Sequence, residues 1–110
     1  MLKEKTNKTQ NQDGLNVDFE ISKKAYFALR AINHKTRQKM LELIHKNNRL
    51  TVSEIYHKLR IEQSRTSTYL AILRRSNLVI AERDGQNVYY SINYKQVSFL
   101  HKGAKIIVGG

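Results

Sequence analysis

Residues 59–92 read LRIEQSRTSTYLAILRRSNLVIAERDGQNVYYSI, and this segment carries the clearest signals of secondary structure in the sequence. Thr66, Leu70 and Leu73 recur at helical spacing, which predicts a helix over residues 63–76 with these three side chains facing a core. The opposite face of this helix is polar, small-sided and basic, and no acidic residue occurs along the segment. The pattern therefore indicates a helix that packs on one side and presents a cationic surface on the other.

Two runs of strand-forming residues follow this helix, at 78–83 and 87–92. The segment 84–86 (Asp-Gly-Gln) between them predicts a β-hairpin, because glycine readily adopts the positive φ that tight hairpin turns require. Asn77 suits the left-handed position at which helices commonly end. We therefore expect a helix, a sharp stop and then a two-stranded hairpin.

Three helices are predicted upstream of this stretch. Apolar residues at helical spacing place the first over residues 18–31 and the second over 34–46, with Asn33 as the N-cap of the second. Residues 51–54 (Thr-Val-Ser-Glu) fit a capping box and predict a third, short helix that ends near Leu59. A tight turn then joins this third helix to the basic one.

The remaining segments complete a single domain. A very short strand is expected at 49–50 and a last helix at 94–102. Residues 1–17 are rich in Lys, Asn, Gln and Thr and resemble a flexible polar arm, whereas residues 104–110 form a short tail. The expected domain therefore spans 18–103. Its fold class is mainly α with a small β-hairpin (α+β), a winged helix-turn-helix of order α-α-(β)-α-α-β-β-α.

Composition limits the class of protein. The chain has 110 residues, of which 40% are apolar, and this suits one domain with one modest core. It contains no cysteine, which excludes disulfides, thiolate metal sites and thiol redox sensing. No apolar run approaches the roughly 18 residues of a membrane span, and the polar N-terminus does not resemble a secretory signal. We therefore expect a cytoplasmic protein without a membrane segment.

The net charge is +11, and most of it lies in the expected folded part. Residues 34–83 contain eleven lysines and arginines against four acidic residues. A compact domain that tolerates such self-repulsion usually has a polyanionic partner. The charge distribution therefore favours a nucleic acid as the partner.

The helix-turn-helix with its hairpin wing indicates binding to double-stranded DNA. The major groove is about 12 Å wide and admits one α-helix, and an arginine can donate two hydrogen bonds to a guanine edge there. The N-terminal half of the recognition helix reaches base edges, and a wing contacts the neighbouring groove or backbone. The expected DNA-binding residues are Gln63, Ser64, Arg65, Ser67, Thr68, Arg37, Arg75, Arg83 and Gln86.

Residues 25–93 also resemble the ArsR/SmtB-type family of winged helix-turn-helix transcriptional repressors. The resemblance is carried by residues 31–44, 59–79 and 82–92, which are similar to the family's second helix, recognition helix and wing. It implies a homodimer formed through the first and last helices, bound to an inverted-repeat operator. It also implies that the five expected residues between 63 and 68 occupy the family's DNA-reading positions.

The chain departs from the family pattern at three places. His34-Lys35 stands where the family usually has a proline near the start of the second helix. Tyr69 replaces the histidine that is common in the recognition helix, and Asn77 replaces a customary glycine. These changes preserve the expected fold, although Tyr69 must alter the contacts of the recognition helix.

Members of this family are often metal-responsive, through cysteines near the third helix or through paired acidic and histidine ligands on the last helix. This chain has no cysteine, and because no acidic residue follows Asp84, its last helix offers only His101. Zinc usually takes four protein ligands in a structural site, and the four histidines here are scattered along the sequence. We therefore expect no metal site and no cofactor.

Two other classes of function compete with DNA binding. A winged-helix module for protein–protein or RNA contact is the main alternative, although such a module does not need the basic, small-sided face of residues 63–76. An enzyme is the third class. The chain has no cysteine nucleophile, no glycine-rich phosphate loop and no carboxylate pair with a histidine partner, so we expect no catalytic residues.

Overall fold

The computed structural model describes residues 18–107, with side chains described through residue 102. The expected arm, residues 1–17, and residues 108–110 lie outside this part. In chain order the elements are α1 (Phe19–Ile32), α2 (Lys35–Asn47), β1 (Leu50–Thr51), α3 (Val52–Leu59), α4 (Gln63–Arg75), β2 (Val79–Asp84), β3 (Asn87–Ile92) and α5 (Tyr94–Ile107). This order confirms the expected winged helix-turn-helix. Among the described helices, none has the length and apolar character needed to cross a membrane.

The sheet has three antiparallel strands in the order β1-β3-β2. Val79 of β2 pairs with Ile92, and the pairing continues to Asp84 opposite Asn87 at the tip of the hairpin. Gly85 begins the two-residue loop with a φ of +69°, a conformation that costs glycine little. The hairpin predicted from residues 84–86 is thereby confirmed, and β1 anchors it to the helices.

One hydrophobic core joins all of these elements. Every described helix and strand contributes at least one buried apolar side chain, and full burial of a large one stabilises the fold by roughly 1.5–3 kcal/mol. The buried apolar residues are Ala28, Ala31, Met40, Ile44, Leu50, Ile55, Leu70, Leu73, Leu78, Val79, Ile92 and Leu100. The position of each element is therefore fixed by the same core.

Local signals set the start of several helices. Asp18 accepts hydrogen bonds from the backbone N–H groups of Glu20 and Ile21, at 3.0 and 3.3 Å, and so caps α1. Thr51 and Glu54 form the complete capping box that was predicted for α3. These caps satisfy backbone donors that the first helical turn leaves without partners.

The last helix is longer than the sequence predicted. It continues to Ile107 rather than ending near Lys102, so residues 104–107 of the expected tail are helical. The helix continues through Gly103, and one glycine inside a helix costs only about 1 kcal/mol relative to alanine. A single glycine is therefore a weak stop signal.

The prediction of Asn33 as the N-cap of α2 is wrong. Asn33 instead ends α1, where its backbone N–H donates to the carbonyl of Leu29 at 3.0 Å. His34 has the extended backbone of an N-cap, and its Nδ1 accepts a hydrogen bond from the backbone N–H of Arg37 at 3.4 Å. Only two residues separate α1 from α2, so Asn33 serves as the C-cap of α1 and His34 serves as the N-cap of α2.

The capping bond requires the neutral form of His34, since only an unprotonated Nδ1 can accept a hydrogen bond. Burial, followed by the nearby charges of Arg37 and Arg65, lowers the pKa of His34 below its ordinary value of 6.5. The neutral imidazole is therefore the form that the fold stabilises.

This shift predicts a pH-dependent contribution of His34 to stability. The unfolded chain protonates His34 near pH 6.5, before the folded chain does, so this contribution is complete above that pH and is lost as the pH falls towards the lowered pKa. His34→Asn retains a capping oxygen but cannot titrate. Urea unfolding at pH values from 7.5 to 5.5 should show the variant gaining stability relative to the wild type as the pH falls. Parallel stability curves would contradict the capping role of the neutral ring.

Candidate nucleic-acid interface

Helix α4 divides sharply into a buried and an exposed face. Thr66, Leu70 and Leu73 are at most 1% exposed, and the buried hydroxyl of Thr66 donates to the carbonyl of Glu62 at 3.0 Å. The side chains on the outer surface of the helix are exposed: they are Gln63, Ser64, Arg65, Ser67, Thr68, Ala71, Arg74 and Arg75. All five residues expected to read DNA on this helix thus lie on one accessible surface, which we call the recognition surface.

The N-terminal turn of α4 is open to a ligand. Glu62 occupies the N-cap position, but its side chain makes no capping hydrogen bond, and the first turn contains no acidic residue. Helix N-termini present unpaired N–H groups and a positive partial charge, which favour phosphate. The short side chains of Ser64, Ser67 and Thr68 keep the approach to this turn clear. This end of the helix is therefore suited to an anionic backbone.

The wing places two further expected residues in solvent. Arg83 lies on β2 and Gln86 lies in the loop at the tip, and both are exposed. Arg49, which the expected set does not include, contacts the tip half of this hairpin. Its guanidinium pairs with Asp84 at 3.1 Å and lies 3.9 Å from the centroid of the Tyr89 ring. Arg49 thereby neutralises the one acidic side chain at the wing tip.

A groove of about 570 Å³ separates α4 from the wing. Ser67 and Arg74 line it from the helix, and Tyr90 of β3 lines it from the sheet. Arg74 is exposed and is not among the residues expected from the sequence to bind DNA. Its spacing of seven residues from Ser67 is the signal that places both side chains on the wing side of the helix. Ser67 and Arg74 both border this groove, which has room for an extended strand of nucleic acid.

The two remaining expected residues differ from the rest. Arg75 is exposed, and its guanidinium carbon lies 5.7 Å from the centroid of the Phe27 ring on α1. Arg37 is half-buried, and its guanidinium donates to two main-chain carbonyls at the end of α1. The structure therefore brings Arg75 to the edge of the recognition surface, whereas it directs Arg37 into the protein.

Helices α1 and α5 carry a separate apolar surface. Leu29 and Ile32 of α1 and Val97 and Leu100 of α5 line one groove, which places the two helices side by side. Several aromatic side chains nearby on these helices are between 41% and 65% exposed; they are Phe19, Tyr26, Phe27, Tyr94 and Phe99. Several large apolar side chains exposed on two neighbouring helices indicate an interaction site more often than a free surface.

Metal-binding groups do not come together in the described residues. Within this part of the chain, no three histidine, aspartate or glutamate side chains lie close enough to share an ion. The ring of His45 instead bonds the hydroxyl of Tyr94 at 2.8 Å, which ties α2 to α5.

The sequence and the fold are similar to those of known bacterial regulators. Residues 34–81 match the family described as "bacterial regulatory protein, arsR family". The transcriptional activator HlyU of Vibrio cholerae serotype O1 is 34% identical over 76 residues, which cover 69% of each chain. The transcriptional repressor SdpR of Bacillus subtilis is 34% identical over 64 residues, 58% of this chain and 70% of SdpR.

A solved structure shares the architecture as well. The crystal structure of the transcriptional repressor PagR of Bacillus anthracis matches with a TM-score of 0.65 and 26% identity, over 76% of this chain and 95% of PagR. The matched family segment, residues 34–81, contains α2, α3 and α4, and therefore the recognition surface. The chain therefore belongs to the ArsR family of bacterial regulatory proteins, a family of DNA-binding transcriptional regulators.

Proposed function

We propose that this regulator is a homodimer that represses transcription by binding an inverted-repeat operator through α4. The observation that carries the proposal is the exposed, acid-free recognition surface of α4, opposite a face that the core buries completely. Such a helix can enter a major groove without giving up any of its packing.

In the proposed complex the N-terminal half of α4 reads base edges. Ser64, Ser67 and Thr68 are short, so the helix backbone approaches the bases closely, and their hydroxyls can bond base edges or phosphates. Arg65 is long enough to donate two hydrogen bonds to the O6 and N7 atoms of a guanine. We therefore assign Arg65 the main base contact and Gln63 a supporting contact near the helix start.

Phosphate contacts hold this helix in register. The open N-terminus of α4 and the guanidinium of Arg75 flank the recognition surface, and the groove beside Arg74 accommodates a sugar-phosphate strand. Arg83 and Gln86 on the wing reach the next part of the duplex. Contacts of this kind fix orientation but carry little sequence information.

A second copy of this chain is the proposed partner of the apolar surface on α1 and α5. A two-fold axis through this surface would place two α4 helices on one side of the dimer. Recognition helices in such dimers enter successive major grooves, roughly 34 Å apart, and the operator is then an inverted repeat. Where that repeat overlaps a promoter, bound protein excludes the polymerase, as expected of a repressor.

Salt dependence tests whether the duplex backbone is the ligand. DNA fragments bound by the wild-type protein are first selected from a random pool, and affinity is then measured across a salt series. The logarithm of affinity should fall linearly with the logarithm of salt, with a slope of about 0.9 for each neutralised phosphate. A response that is flat with salt would favour the protein-binding alternative.

Arg65→Ala tests the base contact. The substitution should weaken binding to the selected duplex by about 1–3 kcal/mol and relax base preference at one position in each half-site. Lys46→Ala removes an equally charged, exposed residue from the far end of α2 and serves as the matched control. Unchanged affinity and preference in Arg65→Ala would show that α4 binds DNA in another orientation.

Acidic substitutions test the dimer. Phe27→Glu and Phe99→Glu each place a charge at an exposed aromatic position of α1 or α5, and both should shift sedimentation towards the monomer. Because Phe27 lies beside Arg75, the accompanying loss of operator binding is read from Phe99→Glu alone. Ile80→Glu on β2 is the matched control, because Ile80 is 44% exposed and Phe27 is 41% exposed. Stable dimers in both phenylalanine variants, with circular dichroism of a folded chain, would place the interface elsewhere.

A further inference from the structure

The guanidinium of Arg37 lies between three elements of the fold. Its Nε donates to the carbonyl of Ala31 at 2.6 Å, and one of its Nη groups donates to the carbonyl of Arg30 at 3.3 Å. These carbonyls belong to the last turn of α1, where helices leave acceptors without intrahelical partners. The carbon at the centre of the guanidinium also lies 5.4 Å from the centroid of the Tyr69 ring on α4. Arg37 thus links the end of α1 to the recognition helix.

Tyr69 is held by a second residue from the same turn of α2. The ring centroids of His34 and Tyr69 are 4.9 Å apart, and the planes are inclined by 57°. His34 is itself fixed by its capping bond to the backbone N–H of Arg37. The half-buried tyrosine ring is therefore in contact with two side chains whose own positions are locked by hydrogen bonds.

The position of Tyr69 on α4 allows its contacts with Arg37 and His34 to affect the rotation of this helix. Residues four apart share one side of a helix, so Tyr69 lies directly behind Arg65 on the flank that faces the start of α2. The buried stripe of Thr66, Leu70 and Leu73 holds α4 against the core along a single line. A contact on the flank opposes rotation of the helix about that line. A small rotation would move Arg65 away from its base edge.

We infer that Arg37 is a positioning residue that acts through Tyr69 to set the rotation of α4, and not a phosphate contact. The inference rests on the proposed function, because the rotation matters only if α4 reads base edges. The positioning role requires an arginine at residue 37 in particular. A planar guanidinium bonds two carbonyls and packs on a ring at once, whereas the ammonium group of lysine is a point charge without this fork.

Arg37→Lys separates the two roles, because it keeps the charge and removes the fork. Affinity is measured for the duplex selected by the wild-type protein and for a random duplex of equal length, across a salt series. The preference for the selected duplex should fall roughly tenfold, which is the range of one lost base contact, while affinity for the random duplex and the salt slope stay unchanged. A lysine that preserves the preference would overturn the inference, as would a parallel loss of affinity for both duplexes.

Variants at Tyr69 guard against a change that is only structural. Tyr69→Leu should lower the preference for the selected duplex, as Arg37→Lys does. The conservative variant Tyr69→Phe should retain this preference, because the ring remains. Combining Arg37→Lys with Tyr69→Leu should cost no more than Tyr69→Leu alone, since both act through one contact. Additive losses in this double-mutant cycle would overturn the proposed link. Thermal unfolding confirms that each variant is folded at the assay temperature.

The same binding measurements distinguish a failure of the positioning role of Arg37 from a failure of the proposed DNA-binding function. If the wild-type protein shows no preference for any duplex over random DNA, the proposed function fails. If the wild-type preference is strong and Arg37→Lys retains it, only the positioning role of Arg37 fails.

Discussion

Helix α4 can bury only one of its faces, and the organisation of the rest of the molecule follows from this constraint. Thr66, Leu70 and Leu73 of this helix are buried in the core, and the polar and basic residues on its other side therefore lie in solvent. The other helices and the sheet complete that core from behind and from the sides. The result is a rigid scaffold that presents a cationic helix at its surface, which is what major-groove recognition requires.

The signals that made the fold predictable are local in sequence. The capping box of α3, the left-handed φ of +60° at Asn77 and the glycine turn of the wing each depend on residues within a few positions of one another. The division of α4 into two faces also follows from helical spacing alone. The exposure of Gln63, Ser64, Arg65, Ser67 and Thr68 could therefore be predicted before any coordinates were known.

What the sequence could not predict depends on contacts between distant residues. The sequence marked Arg37 only as a cation near the start of α2 and could not show that its guanidinium donates to carbonyls of α1 and lies beside a ring on α4. The cap of α2 was assigned to Asn33 because asparagine is a common cap, although α1 uses that residue for its own end. Arg49 likewise pairs with a wing residue that lies 35 positions further along the chain. Each of these roles depends on three-dimensional contacts that the residue type alone does not reveal.

Dimethyl sulfate protection tests most directly whether α4 enters the major groove, because the reagent methylates guanine N7 there. With the selected duplex as probe, we expect protected guanines in two clusters about one helical turn apart, on one face of the DNA. Duplex bound at saturation with every guanine N7 still reactive would contradict a recognition helix in the major groove.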